Sequence, residues 1–166
     1  CLFEYIYFAR PDSILDGRNV YEVRKKIGHE LAKENLDDKE KIDVVIPIPD
    51  SGNASALGYA EKIGRNFDLG IIRNHYTGRT FIQESNTIRD LSVKLKHNPN
   101  LNSLRNKNIA LIDDSIVRGT TSVKIVEMLK NCGVKKIHMR IASPPVMYPC
   151  FYGIDTPNKE ELLASK

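Results

Sequence analysis

Apolar residues along the chain recur with two different periods, and the alternation between them outlines a fold. Asp43-Val44-Val45-Ile46-Pro47-Ile48 and Asn108-Ile109-Ala110-Leu111-Ile112 are short, nearly continuous apolar runs, the pattern of parallel strands covered on both faces. Lys136 to Ala142 predicts another strand, stopped by Pro144-Pro145, and Leu69 to Ile72 a shorter one. Helical spacing fills the intervals. Val20, Val23, Ile27 and Leu31 follow Asn19, a candidate N-cap, and Ser51 to Ile63 reads as a helix of small residues. Val123, Ile125, Val126, Met128 and Leu129 mark one broad helical face, with Lys124, Glu127 and Lys130 opposite and Gly133 placed to end the helix. Residues 1–8, aromatic and β-branched, predict an opening strand, broken by Arg10-Pro11-Asp12-Ser13 and Asp16-Gly17. The alternation predicts an α/β fold, with a parallel sheet, helices on both faces and right-handed crossovers.

Arg73 to about Asn106 has no clean period, and a connection of that length is usually functional or disordered. Seven basic residues fall between Arg73 and Lys107 (Arg73, Arg79, Arg89, Lys94, Lys96, Arg105, Lys107), opposed by Glu84 and Asp90. Such a stretch either attracts phosphate groups or is a solvated surface. The remaining composition changes the picture little. At 166 residues, 41% hydrophobic and 28% charged, the chain can build one apolar core. It holds no apolar run of membrane-spanning length. Three widely spaced cysteines, Cys1, Cys132 and Cys150, are not a secreted disulfide framework, so a cytoplasmic location is expected. The absence of an initiator methionine reads as a piece of a longer protein.

The densest chemistry follows the 108–112 run. Asp113 and Asp114 are adjacent carboxylates at a strand end, where an open α/β sheet binds its ligands. At about 5 Å and an effective dielectric near 20 they repel by roughly 3 kcal/mol, which calls for a cation or hydroxyl donors. Ser115, Gly119, Thr120, Thr121 and Ser122, small or hydroxylated, then lead into a helix. Backbone N–H groups and a helix dipole at that point suit a phosphate, and Arg118 adds a charged donor. A bare Asp-Asp-Ser is more often turn and cap chemistry; the full string argues for more. No Gly-Lys-Ser/Thr and no Gly-x-Gly-x-x-Gly occurs.

Ile109 to Thr121 resembles the phosphoribosyl pyrophosphate motif of type I phosphoribosyltransferases. Its Ser-Ile-Val-Arg-Gly-Thr-Thr ending resembles the glutamine phosphoribosyl pyrophosphate amidotransferases in particular. Phe3-Glu4-Tyr5 through Phe8-Ala9-Arg10-Pro11-Asp12-Ser13, Pro49-Asp50-Ser51-Gly52, Gly78-Arg79-Thr80-Phe81-Ile82-Gln83 and Tyr152-Gly153-Ile154-Asp155 agree in order along the chain.

The resemblance implies a type I phosphoribosyltransferase fold with a long flexible loop over 73–107. It implies that ammonia displaces pyrophosphate at the ribose anomeric carbon, giving 5-phosphoribosylamine at the start of purine synthesis. Asp113 and Asp114 would hold the ribose hydroxyls and Mg²⁺. Ser115, Ile116, Val117, Arg118, Gly119, Thr120, Thr121 and Ser122 would wrap the 5′-phosphate. Pro49, Asp50, Ser51 and Gly52 would form the pyrophosphate loop, with Ser51 near Mg²⁺; without the resemblance this is simply the start of a helix. Tyr76 and Arg79 are candidates to face the substrate from the flexible loop.

Ammonia would come from a glutaminase domain outside residues 1–166, and the remainder of the transferase domain would follow Lys166. Cys1 is not read as the glutaminase nucleophile, because the residues after it match the start of the transferase domain. Some family members carry a 4Fe–4S cluster, and Cys1 and Cys150 match two of its ligands. Four cysteines are needed, so no cluster is expected in these residues, and its presence in an intact protein is open. Cys132 reads as a packed core residue, and His29, His75, His97 and His138 lack metal-ligand spacing. Copies of the same chain are an expected partner; nucleic acid and membrane are not. Two rivals stand beside this reading: a nucleobase salvage phosphoribosyltransferase, and a non-catalytic phosphoribosyl pyrophosphate-binding regulatory domain.

Overall fold

A computed structural model describes residues 1–34, 36–74, 97–150 and 158–165. The N-terminal segment is helical rather than extended, with Glu4–Phe8 forming one π-helical turn. The cause lies in a distant residue. Arg24, buried in the following helix, donates from Nε to the Tyr5 carbonyl at 2.7 Å and from Nη2 to the Ala9 carbonyl at 2.9 Å. These bonds satisfy carbonyls at the end of a short helix, and tertiary contact overrides β-propensity. The rings of Phe3, Tyr7 and Phe8 pack on one another at 5.5–6.2 Å while Ile6 is buried.

Strands β1 (Ile14–Leu15) and β2 (Arg18–Asn19) form a small antiparallel hairpin. Its turn residues Asp16 and Gly17 both have positive φ, 47° and 72°, which suits the Asp-Gly pair. Helix α1 (Val20–Lys33) starts as expected, with the Asn19 side chain accepting from the Glu22 N–H at 3.1 Å. Its buried stripe is Val20, Arg24, Gly28 and Ala32. The predicted stripe of Val23, Ile27 and Leu31 lies on the half-buried flank instead. Contact with the next helix decides this: a Cβ on Gly28 would fall 1.9 Å from the Ser55 carbonyl oxygen, so the two helices meet along their small residues.

Strand β3 (Val44–Pro47) leads to α2 (Asn53–Ile63), β4 (Asn66–Phe67), β5 (Ile71–Arg73), β6 (His97–Pro99) and the short helix α3 (Leu101–Leu104). Then follow β7 (Asn108–Asp113), α4 (Thr120–Asn131) and β8 (Lys136–Ile141). The main sheet is parallel in the order β4-β3-β7-β8. Side chains alternate across it. Val45, Ala110 and Ile112 join Ala32, Ala56, Tyr59, Ala60 and Ile63 under α1 and α2. Val44, Ile46, Ile109 and Leu111 join Ile125 and Leu129 of α4 on the opposite face. Helices thus flank both faces.

Two strand and helix expectations need correction. The predicted strand at Leu69–Ile72 is not in the parallel sheet. Asn66–Phe67 pairs with β3, and Ile71–Arg73 pairs antiparallel with His97–Pro99. Ile71 is buried while Leu69 and Ile72 are each 45% exposed, so the run has one core position. On α4, Ile125 and Leu129 are fully buried but Val123 is 57% exposed, because it falls off the face those two define. Gly133, with φ 81°, lies just beyond that helix. Among the described residues no helix is long and apolar enough to cross a membrane.

Candidate active site

The carboxyl ends of β3 and β7 lie side by side, and the loops leaving them form one site. The Ile48 N–H donates to the Ile112 carbonyl at 2.8 Å, and the Gly52 N–H donates back to the Ile48 carbonyl at 3.0 Å. The Pro49–Gly52 loop therefore folds against the end of β7. A Cβ on Gly52 would lie 2.7 Å from the Ile112 carbonyl oxygen and 2.8 Å from that of Ile48, so only glycine fits. The Pro49–Asp50 peptide bond is cis. Asp50 is joined to Arg73, the first of the seven basic residues of the 73–107 segment, by a 2.6 Å ion pair.

Asp113 and Asp114 sit at the end of β7 and are 8% and 5% exposed. The Ala142 N–H donates to the Asp113 carbonyl at 2.9 Å, and the Ser143 N–H to the Asp114 carbonyl at 2.8 Å, so the chain beyond β8 fixes their backbone. The Asp114 N–H donates to Asp113 Oδ1 at 2.9 Å. Burial, a hydrogen bond to Asp114 and the Asp114 charge together push the Asp113 carboxyl up to about 8. Asp114 Oδ2 is buried and has no hydrogen-bond partner among the described residues. Burial lowers the Arg24 guanidinium below its usual range, against the opposing pull of the Asp114 charge.

From Ser115 the chain bends into Gly119, whose φ of 78° is the left-handed conformation that favours glycine, and α4 begins. Among the described residues no side chain caps that helix, so there its first N–H groups and the positive end of its dipole are available to an anion. Arg118, expected to donate to a phosphate, donates from Nε to Glu161 at 2.6 Å. Ser51 is half-buried within its loop. The structure thus brings 49–52, 113–114 and 115–122 to one end of the sheet, while Tyr76, Arg79 and most of the 73–107 segment lie outside the described residues.

The cysteines do not converge into a ligand set. Cys1 is exposed and Cys132 and Cys150 are half-buried; none of the three forms a disulfide among the described residues, and burial pushes the Cys132 thiol up. Among the described residues no group of three or more His, Cys, Asp or Glu is arranged to hold a metal ion. Three thiols in all cannot complete a four-cysteine cluster.

Sequence reasoning missed Arg24, the Asp50–Arg73 pair and the Arg118–Glu161 pair. Arg24 had a signal: it stands in register with Val20, Gly28 and Ala32, a charge at a core position.

Residues 12–142 match the model of the phosphoribosyl transferase domain. The chain belongs to that family. It is 55% identical over 166 residues to the amidophosphoribosyltransferase of Rhizobium etli, covering 100% of this chain and 33% of that protein. The amidophosphoribosyltransferase of Methanocaldococcus jannaschii is 53% identical over 165 residues, 99% of this chain and 34% of its own length. Among solved structures, the glutamine phosphoribosylpyrophosphate amidotransferase from B. subtilis complexed with ADP and GMP superposes with a TM-score of 0.87 at 49% identity. That match covers 99% of this chain and 36% of the other. This phosphoribosyl transferase domain therefore spans about a third of the length of the curated relatives it matches.

Proposed function

We propose that this domain binds phosphoribosyl pyrophosphate and transfers its phosphoribosyl group to ammonia within an amidophosphoribosyltransferase. The observation that carries the reading is the buried Asp113–Asp114 pair, placed between the Pro49–Gly52 loop and the uncapped start of α4. Buried like charges are costly without a partner. A polyhydroxyl ligand with a phosphate at one end and a pyrophosphate at the other complements this arrangement.

The ribose hydroxyls would donate to the carboxylates of Asp113 and Asp114. The 5′-phosphate would accept from backbone N–H groups of Ser115 to Ser122, and the pyrophosphate from the Pro49–Gly52 loop. The donor set also fits a hard divalent cation. Asp113 and Asp114 offer carboxylate oxygens, Ser51 a hydroxyl, and the unpartnered Asp114 Oδ2 is a buried acceptor in want of a cation. Bound there, Mg²⁺ supplies neutralisation of the charge that develops on pyrophosphate. In the reaction, the bond from the anomeric carbon to the pyrophosphate oxygen breaks and that oxygen keeps the electron pair. A carbon–nitrogen bond forms to ammonia, which gives up a proton. Low exposure around the acidic pair limits the competition from water. The ammonia would be released from glutamine by another part of the longer protein, and three cysteines without a disulfide among the described residues suit a cytoplasmic enzyme.

The test is pyrophosphate release by the full-length protein with phosphoribosyl pyrophosphate, Mg²⁺ and ammonia, against hypoxanthine or guanine in place of ammonia. Release that requires a nucleobase would replace this reading with salvage, and binding without release would replace it with a regulatory domain.

A further inference from the structure

Residues 158–165 meet the phosphate-facing loop at three points. The Leu163 N–H donates to the Val117 carbonyl at 2.9 Å. Glu161 Oε2 accepts from Arg118 Nε at 2.6 Å. The Leu163 side chain lies against Gly119, where an added Cβ would stand 3.2 Å from Leu163 Cδ2. Leu162, between the contacting residues, is fully buried and anchors the segment to the domain.

Loop 115–119 has no regular structure of its own, and among the described residues α4 has no side-chain cap. A phosphate cradle nevertheless needs its N–H groups already aimed, because fixed donors bind an anion without paying to reorganise. The three contacts restrain consecutive residues of the loop, one through backbone, one through charge and one through packing. Both members of the Arg118–Glu161 pair are about two-fifths exposed, so the pair adds little to stability; its use is directional. Arg118 committed to Glu161 shapes the loop instead of donating to the ligand.

We propose that Glu161 and Leu163 are positioning residues, which hold loop 115–119 in the form whose backbone N–H groups take the 5′-phosphate of the substrate. The proposal rests on the phosphoribosyl pyrophosphate reading above. It assigns residues 158–165 a role in substrate affinity, with no contact to the reacting atoms.

The experiment compares full-length wild type with Glu161→Gln, Glu161→Asp and Leu163→Ala. Steady-state turnover of phosphoribosyl pyrophosphate with ammonia is measured together with the affinity for ribose 5-phosphate, which carries the phosphate but no pyrophosphate. Glu161→Gln and Leu163→Ala should each raise KM and weaken ribose 5-phosphate binding about tenfold, the loss of one oriented contact. Their kcat should stay within about twofold, the signature of lost uniform binding. Glu161→Asp, which keeps the carboxylate, should lie near wild type, and thermal unfolding of Glu161→Gln should be unchanged. Wild-type KM and affinity in Glu161→Gln would overturn the proposal, as would tighter binding through a released Arg118; that variant decides even if Leu163→Ala fails to fold. Wild type that binds ribose 5-phosphate without turning over phosphoribosyl pyrophosphate would sink the functional reading alone, leaving the positioning to be judged on ribose 5-phosphate affinity.

Discussion

The backbone N–H of Asp114 donates to the side chain of Asp113 at 2.9 Å, so one acid of the pair is tied by its neighbour's amide while the other has a buried oxygen with no partner among the described residues. The two carboxylates are chemically unequal despite being adjacent. Asp113 keeps its proton to about 8, and Asp114 Oδ2 stands as the unpartnered acceptor.

This inequality makes ligand-free stability depend on pH. The unfolded Asp113 releases its proton near 3.8 while the folded one holds it to about 8, so between those values the native state binds more protons. Stability is therefore fully present below 3.8, declines as pH rises and is lost through about 8. Thermal unfolding in chelator should show a lower midpoint at about pH 9 than at about pH 6, and Asp113→Asn should flatten the difference. A wild-type midpoint higher at the alkaline end would contradict the assignment.

Gly52 is the second test, because its fit is steric and independent of charge. Gly52→Ala places a Cβ against two backbone carbonyls that cannot turn aside. Overpacking of this kind costs on the order of 1–3 kcal/mol. Urea unfolding should register that loss, and the variant should bind phosphoribosyl pyrophosphate less tightly because the Pro49–Gly52 loop has moved. Wild-type stability in Gly52→Ala would mean the loop does not pack against β7 as described.

Arg24 ties the N-terminal turn to α1. Arg24→Met keeps the apolar stem but leaves the Tyr5 and Ala9 carbonyls without their donor, a loss of roughly 1–3 kcal/mol. Arg24→Lys should not restore it, since one ammonium cannot reproduce the guanidinium fork. Limited proteolysis near residues 1–9 should quicken in both variants; equal rates with wild type would remove the tether.

Much of this molecule was legible where the signal is local. The strands at Val44–Pro47 and Asn108–Asp113 follow from uninterrupted apolar runs, and Asn19 caps α1 because the capping interaction spans three residues. The acidic pair was visible because its members are adjacent and follow a strand directly. What escaped depends on partners remote in the chain. The opening segment carries strand-like residues, yet an arginine 19 positions from Tyr5 sets its conformation. The edge strand Asn66–Phe67 is two residues of backbone pairing with one polar member, leaving no period to read. Glu161 meets Arg118 across 43 residues, and nothing near either one announces the pair.

The central claim is that the buried acids serve phosphoribosyl pyrophosphate, and replacing them one at a time in the full-length protein tests it most directly. Pyrophosphate release with Mg²⁺ and ammonia should fall about 10²-fold or more in Asp113→Asn and in Asp114→Asn, the magnitude of an electrostatic site. At about pH 9, where both acids of the wild type are ionised, the unfolding midpoint of each should equal or exceed that of wild type, because a buried repulsion has been removed. Wild-type turnover by both variants would contradict the account.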